Sequence, residues 1–250
     1  MTNQISTKAL RIEIKEIFPL LNTEKYCLNT LNGVLDSVKP KLFNKPVGIS
    51  YLKRVIKGAL KDYKVNFRTY EDLKIDSNHF VVTGWFIPED DDDDTDINPI
   101  QLNCHMKADC DVVEFANEDR WHMFKFRIIQ TLMHELIHQI QYQIRDGENI
   151  DGRLCYRSKE LRKRRKEYQE YLGDYDEIQT HSHDLYMEMK QYYPGLTVDE
   201  IFSLPSTYFT PNDVTTLYSY YREFKHNKKV APIKKLKQFT KEWHEFYANK

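Results

Sequence analysis

The chain has 250 residues, 40% of them hydrophobic, and a formal net charge of −1 at pH 7. This balance belongs to a folded chain with room for one elaborated domain, and 17 Tyr, 13 Phe and 3 Trp against only 8 Gly exclude a loop-rich or low-complexity polymer. No run approaches eighteen consecutive apolar residues, which excludes a membrane-spanning helix of ordinary length.

The first eighteen residues interleave Lys8, Arg11, Glu13, Lys15 and Glu16 with apolar side chains. They lack the uninterrupted apolar segment and small-residue cleavage site of a secretion signal. Four cysteines, Cys27, Cys104, Cys110 and Cys155, show no paired zinc-ribbon spacing and read as reduced thiols. The expected location is the cytoplasm, where any hydrolytic activity has to be selective.

Residues 7–62 read as helical. Tyr51, Leu52, Val55, Ile56 and Leu60 keep a clear 3.6-residue period, Leu10, Ile12, Ile14, Ile17 and Phe18 a mixed one, and Pro40 and Pro46 are expected to break the region. Residues 63–116 read as β structure. Short β-branched or aromatic runs at 65–70, 79–87, 100–105 and 111–115, bounded by turn residues, are expected to form one small sheet. The acidic run 89–96 lacks the alternating ligands, central Gly and terminal Glu of an EF-hand and reads as a solvated hairpin loop. Cys104, His105 and Cys110 match no common zinc-finger spacing.

Residues 117–192 carry the chemistry. Asn117 suits an N-cap, and 118–145 reads as one long helix ending before Gly147. Ile129, Met133, Leu136 and Ile140 recur at i, i+4, i+7 and i+11 and form its apolar stripe. To one side of the stripe stand His134, Glu135 and His138, an H-E-x-x-H motif. Positions four apart lie on one helix face with Cβ atoms about 5–6 Å apart, so both imidazoles reach one metal ion at Zn–N distances of about 2.0–2.1 Å. Glu135 is turned about 100° from His134, which places its carboxylate beside such an ion without ligating it. Zinc lowers the pKa of a bound water to about 7, and a neighbouring carboxylate can take the water's proton and hand it to a leaving amine. Two satisfied core histidines are the competing reading; the intact Glu135 favours catalysis, since binding zinc requires only ligands.

The surrounding residues resemble the longer zincin metallopeptidase consensus. Thr131 stands where that family favours Val or Thr, Leu132, Leu136, Ile137 and Gln139 are uncharged, and Ile140 is apolar. A charge among them would be costly in a dry helix and would disturb the ligands. The resemblance implies an α+β, zincin-like fold: a small twisted mixed β-sheet packed on the H-E-x-x-H helix, here with additional N- and C-terminal helices, and an edge strand that binds substrate as an extra strand. It also implies Zn2+ as cofactor and zinc-dependent hydrolysis of a peptide bond in an intracellular protein or peptide substrate.

Metzincins require Gly and His or Asp at positions that here hold Gln141 and Ile144, so that clan is excluded. Gluzincins take a glutamate from a later helix, and the segment 174–189 fits one, with Glu177, His181 and Asp184 at i, i+4 and i+7. On this resemblance the metal ligands are His134, His138 and Glu177, the last lying 39 residues after His138, with His181 or Asp184 supporting a ligand histidine. Many gluzincins carry Asp where this chain has His181, so His181 could itself be the ligand and Glu177 its support. The segment is also similar to the Glu-Ile-x-x-His stretch of small zincin-like proteins encoded by tailed phages, which implies work in the cytoplasm of an infected cell.

Residues 153–166 contain Arg157, Lys159, Arg162, Lys163, Arg164 and Arg165, the densest basic cluster, and from Tyr221 to Lys250 nine Lys or Arg meet three Glu. Such patches can hold phosphates or an acidic protein surface. They keep open a nucleic-acid-associated metal protein, and the retained site keeps open an interaction protein without catalysis; a charge run on a helix is more often a solvated face. Residues 193–250 read as helices that close over the active-site region, with capping boxes at Thr197–Glu200 and Thr210–Asp213. One domain spanning 1–250 is the simplest organisation.

Overall fold

A computed structural model describes residues 12–23, 28–70, 81–87, 100–107, 111–145, 161–209, 214–224 and 227–249, with side chains described except at 68–70, 106–107 and 161–166. The architecture is α+β. The chain forms two compact units, Pro19–Ile140 and Met1–Phe18 with Gln141–Lys250.

The unit Pro19–Ile140 holds α2 (Leu28–Leu42), β1 (Pro46–Gly48), α3 (Ile49–Ala59), β2 (Lys64–Tyr70), β3 (Val81–Phe86), β4 (Ile100–Lys107), β5 (Val112–Glu114) and most of α4 (Glu118–Ile144). The β runs fall where β-branched and aromatic residues cluster, but they make two sheets instead of one. β4 is paired on both edges, parallel to β2 and antiparallel to β3. No edge of it is left for β5, which pairs antiparallel with β1. Among the described residues β3 is therefore an edge strand of the three-stranded sheet. Val65, Ile100, Leu102 and Cys104 share one buried face of that sheet. Burial pushes the Cys104 thiol up to about 12.

Pro40 does not end α2, contrary to expectation. It sits in the last turn, where one backbone bond is forfeited, and the turn still closes through Phe43 N–H to Lys39 O at 2.8 Å. Fully buried Leu42 lies beyond it and anchors the helix end. Pro46 does stop helix, by opening β1, the strand position that tolerates a missing N–H. Between them Asn44 takes φ 54°, a left-handed conformation that asparagine tolerates, and its N–H reaches Phe115 O at 2.9 Å. Phe115, Trp121 and Phe124 then pack with centroids 4.9–5.9 Å apart. Lys39 to Glu118 (2.6 Å) and Lys125 to Asp36 (2.8 Å) tie α2 to the start of α4.

The other unit is helical: α5 (Leu161–Gly173), α6 (Tyr175–Tyr192), α7 (Val198–Ser203), a 3-10 turn at Ser206–Tyr208, α8 (Thr215–Glu223) and α9 (Ala231–Ala248), with part of α1 (Ile14–Leu21) and the last turn of α4. α6 is its axis, packed against α5, α8 and α9. Every residue from Ile178 to Met189 except His181 is buried. The polar ones find local partners: Thr180 donates to Asp176 O (2.8 Å), Ser182 to Gln179 O (2.6 Å), and the Glu188 carboxylate accepts from Thr216 N–H (3.1 Å) at the start of α8. Phe18 stacks on Phe246 at 5.1 Å, and His183 meets Trp243 edge-on at 4.8 Å. The Thr197–Glu200 capping box is formed at both ends, at 2.8 and 3.3 Å. The second expected box, at 210–213, lies outside the described residues, as do the acidic run 89–96, Cys27, Cys110, Cys155 and the basic side chains of 153–166.

Several lysines of the basic tail are engaged inside this unit. Lys228 donates to Phe202 O (2.9 Å) and Leu204 O (2.5 Å) at the end of α7, and Lys237 and Lys241 hold Asp199 at 2.8 and 2.7 Å. Those two ammonium groups bring the Asp199 carboxyl down to about 2. Lys235 lies over the Tyr175 ring at 5.3 Å. Among the described residues no helix is long and apolar enough to cross a membrane.

Candidate metal centre

α4 forms where the capping and the apolar period call for it. Asn117 Oδ1 accepts from Arg120 N–H at 2.9 Å, and Glu118 and Asp119 place negative charge in the first turn, against the positive end of the helix dipole. Ile129, Met133, Leu136 and Ile140 are all buried, so the stripe read from the sequence is the inward face. His134 and His138 stand half-buried beside it, with ring centroids 5.0 Å apart and planes at 73°.

Glu135, between them in sequence, is 6% exposed. Its side chain lies against the backbone of β3 at Gly84. A Cβ placed on that glycine would meet Glu135 Cγ and Oε1 at 2.5 Å and Cδ at 2.8 Å. Sequence reading missed Gly84, although a lone glycine inside a strand run is a signal of close backbone approach.

α6 begins at Asp174, whose carboxylate accepts from Asp176 N–H (2.9 Å) and Glu177 N–H (3.4 Å). Desolvation, and then the charge of Asp176, raise the Asp174 carboxyl above its ordinary value against the lowering effect of those two bonds. One turn in, the predicted triplet shares a face. His181 Nε2 is 3.8 Å from Glu177 Oε2, and its Nδ1 is 3.3 Å from Asp184 Oδ2. The ring edges of Tyr171 and Tyr220 flank the same imidazole at 6.0 and 5.8 Å. Burial, and then the charge of Glu177, push the Tyr220 hydroxyl well above its usual value. Neither tyrosine carried a motif that would have marked it in the sequence.

α4 runs unbroken through His134 and His138 to its last turn, and that turn is clamped to α6. Arg145 Nη1 and Nη2 donate to the two Asp176 carboxylate oxygens at 2.7 and 2.6 Å. Gln141 Nε2 donates to Gln179 Oε1 at 3.0 Å, and Gln179 in turn donates to Ile12 O at 2.7 Å while its own carbonyl accepts from Trp243 Nε1 at 3.2 Å. Gln141 occupies the position a metzincin gives to glycine, and here it serves to set the register of α6.

Two groups of side chains are close enough to hold a metal ion. His134, His138 and Glu177 form one, His134, His181 and Asp184 the other, and within each the ligand atoms lie within 4.8 Å of one another. The donors are imidazole nitrogens and carboxylate oxygens, a set that suits a divalent ion of the zinc type and not a hard, all-oxygen calcium site. Glu135 belongs to neither group. Cys104 and His105 alternate across β4; Cys104 is buried and His105 Nε2 lies 2.7 Å from Thr83 Oγ1, so these consecutive residues do not converge on one ion.

The first group is the ligand set with Glu177 as third ligand; the second brings His181 and Asp184 to His134 without His138, which differs from the expected set of His134, His138 and His181, and the variants separate the two. Glu177→Gln is expected to weaken zinc by more than His181→Asn, because losing a direct ligand outweighs the roughly 10–100-fold contribution of a supporting residue. Competition titration against a chelating dye measures the ranking, and the reverse order assigns the ligand to His181. No protein-family model matches the chain, and searches of curated proteins and of solved structures gave no match.

Proposed function

We propose that this chain is a zinc-dependent peptidase with a zincin-like active site of the gluzincin pattern. The observation that carries the proposal is the approach of His134, His138 and Glu177 to within 4.8 Å of one another, with Glu135 on the same helix but outside the ligand group. In this reading His134, His138 and Glu177 hold the metal. Bound zinc supplies a Lewis acid that acidifies water to a pKa of about 7 and polarises the scissile carbonyl.

The remaining steps belong to the protein. The Glu135 carboxylate accepts the proton of the attacking water and delivers it to the nitrogen of the departing amine. Its burial excludes bulk water, which strengthens that proton transfer and holds the carboxylate in one place. His181, with Nδ1 turned to Asp184, has a fixed ring orientation, and it serves either as a polar group facing the substrate carbonyl or as a supporting partner to a ligand. β3, which carries the contact with Glu135, is at the edge of the three-stranded sheet among the described residues, a position that suits an extended peptide added as a further strand.

The nucleic-acid reading draws less support from the tail than its composition suggests, because Lys228, Lys235, Lys237 and Lys241 are already engaged by groups within the chain. A degenerate peptide library incubated with zinc-loaded protein tests the proposal. Cleavage that disappears with a chelator and returns with added zinc is the expected result; cleavage insensitive to the chelator, or none at any pH between about 6 and 8, removes the peptidase assignment.

A further inference from the structure

We infer that Gly84 is the positioning residue for the Glu135 carboxylate: the missing side chain at this point of edge strand β3 is the seat in which that carboxylate rests. The inference rests on reading Glu135 as the proton acceptor. Its geometry does not.

A glycine inside a strand weakens it relative to alanine, so its presence calls for a local reason. The φ of Gly84 is not in the left-handed region, and the residue pairs with Leu102 in antiparallel register. What distinguishes the position is the neighbour. On the same face of β3, Val82 and Phe86 carry side chains, whereas at Gly84 that space is filled by Glu135 Cγ, Cδ and Oε1. Contacts of 2.5 Å lie far inside the ordinary separation of about 3.5–4.0 Å between nonbonded carbons. Cγ is among the atoms struck, and it is close to the α4 backbone. Relief therefore requires rotation about Cα–Cβ, which moves the whole carboxylate rather than its tip. The three atoms nearest to such a Cβ all belong to Glu135, and none to His134 or His138. Residue 84 consequently governs where the proton acceptor sits without altering what holds the metal.

The test uses the full-length chain as wild type, Gly84→Ala, Glu135→Ala and the double variant. Gly84→Ala is expected to lower Tm by about 4–8 °C, the scale of one overpacked contact in a chain of this length. In the Glu135→Ala background the new methyl group enters vacated space, and the same substitution should change Tm by about 1 °C or less. If Gly84→Ala does not fold while the double variant does, the seat is equally supported. Equal losses in both backgrounds, or failure of both variants to fold, would overturn it. The positioning role has its own readout, the pH midpoint of the visible spectrum of cobalt(II)-loaded protein: Gly84→Ala should shift it towards the Glu135→Ala value with cobalt stoichiometry unchanged. A midpoint identical to wild type would reduce Gly84 to a packing residue and sink the claim. Failure of wild type to bind cobalt would instead remove the metal reading, and the Tm comparison would still decide the seat.

Discussion

Exchange of Glu135 for glutamine is expected to lower peptide hydrolysis by about 10²–10⁴-fold while metal content stays at the wild-type level. Glutamine preserves length, shape and polarity, so it still fits against Gly84, where any gain in bulk would clash. It cannot accept the proton of the attacking water. The ligand groups contain His134, His138, Glu177, His181 and Asp184 but not Glu135, so nothing that holds the ion is altered. Parallel assays of hydrolysis and bound metal therefore separate the two functions of the helix. Loss of metal in this variant would make Glu135 a ligand; unchanged hydrolysis would give the proton transfer to another group.

Removing one partner of the Arg145–Asp176 pair should produce a large loss of stability. Both side chains are mostly removed from water, at 8% and 16% exposure, and the contact is bidentate at 2.6 and 2.7 Å. Removing one partner leaves a desolvated charge behind, which costs about 3–5 kcal/mol and corresponds to a Tm lower by about 6–20 °C in a chain of this length. Arg145→Met is therefore expected to destabilise strongly and, because Asp176 precedes Glu177 on α6, to weaken metal binding as well. Arg145→Met with Asp176→Leu removes both charges and should recover most of the stability. A double variant as unstable as the single one would place the loss in packing around the arginine stem.

The sequence carried the helices of the site well because their signals are local. Asn117 caps α4, the stripe from Ile129 to Ile140 is its buried face, and Glu177, His181 and Asp184 share one side of α6. Nonlocal choices were less legible. Four strand runs were visible, but which partner each takes depends on β4 being paired on both edges, and no single run reveals that. Pro40 read as a breaker because the retention of Leu42 in the core, which carries the helix past it, is a tertiary effect. α6 has no clean amphipathic stripe because α5, α8 and α9 pack against it, so the burial of Gln179, Ser182, His183 and Glu188 has no periodic signal in the sequence. Gly84 matters through an atom of Glu135, 51 positions away in the chain.

The central claim is that His134 and His138 of α4 hold one metal ion together with a side chain of α6. Elemental analysis of protein purified in zinc-replete medium tests it most directly. The expected result is about one zinc ion per wild-type chain, and little or none in folded His134→Ala and His138→Ala. Wild-type protein that carries no metal under those conditions, while folded, would contradict the claim and leave the two imidazoles as ordinary residues of a buried helix.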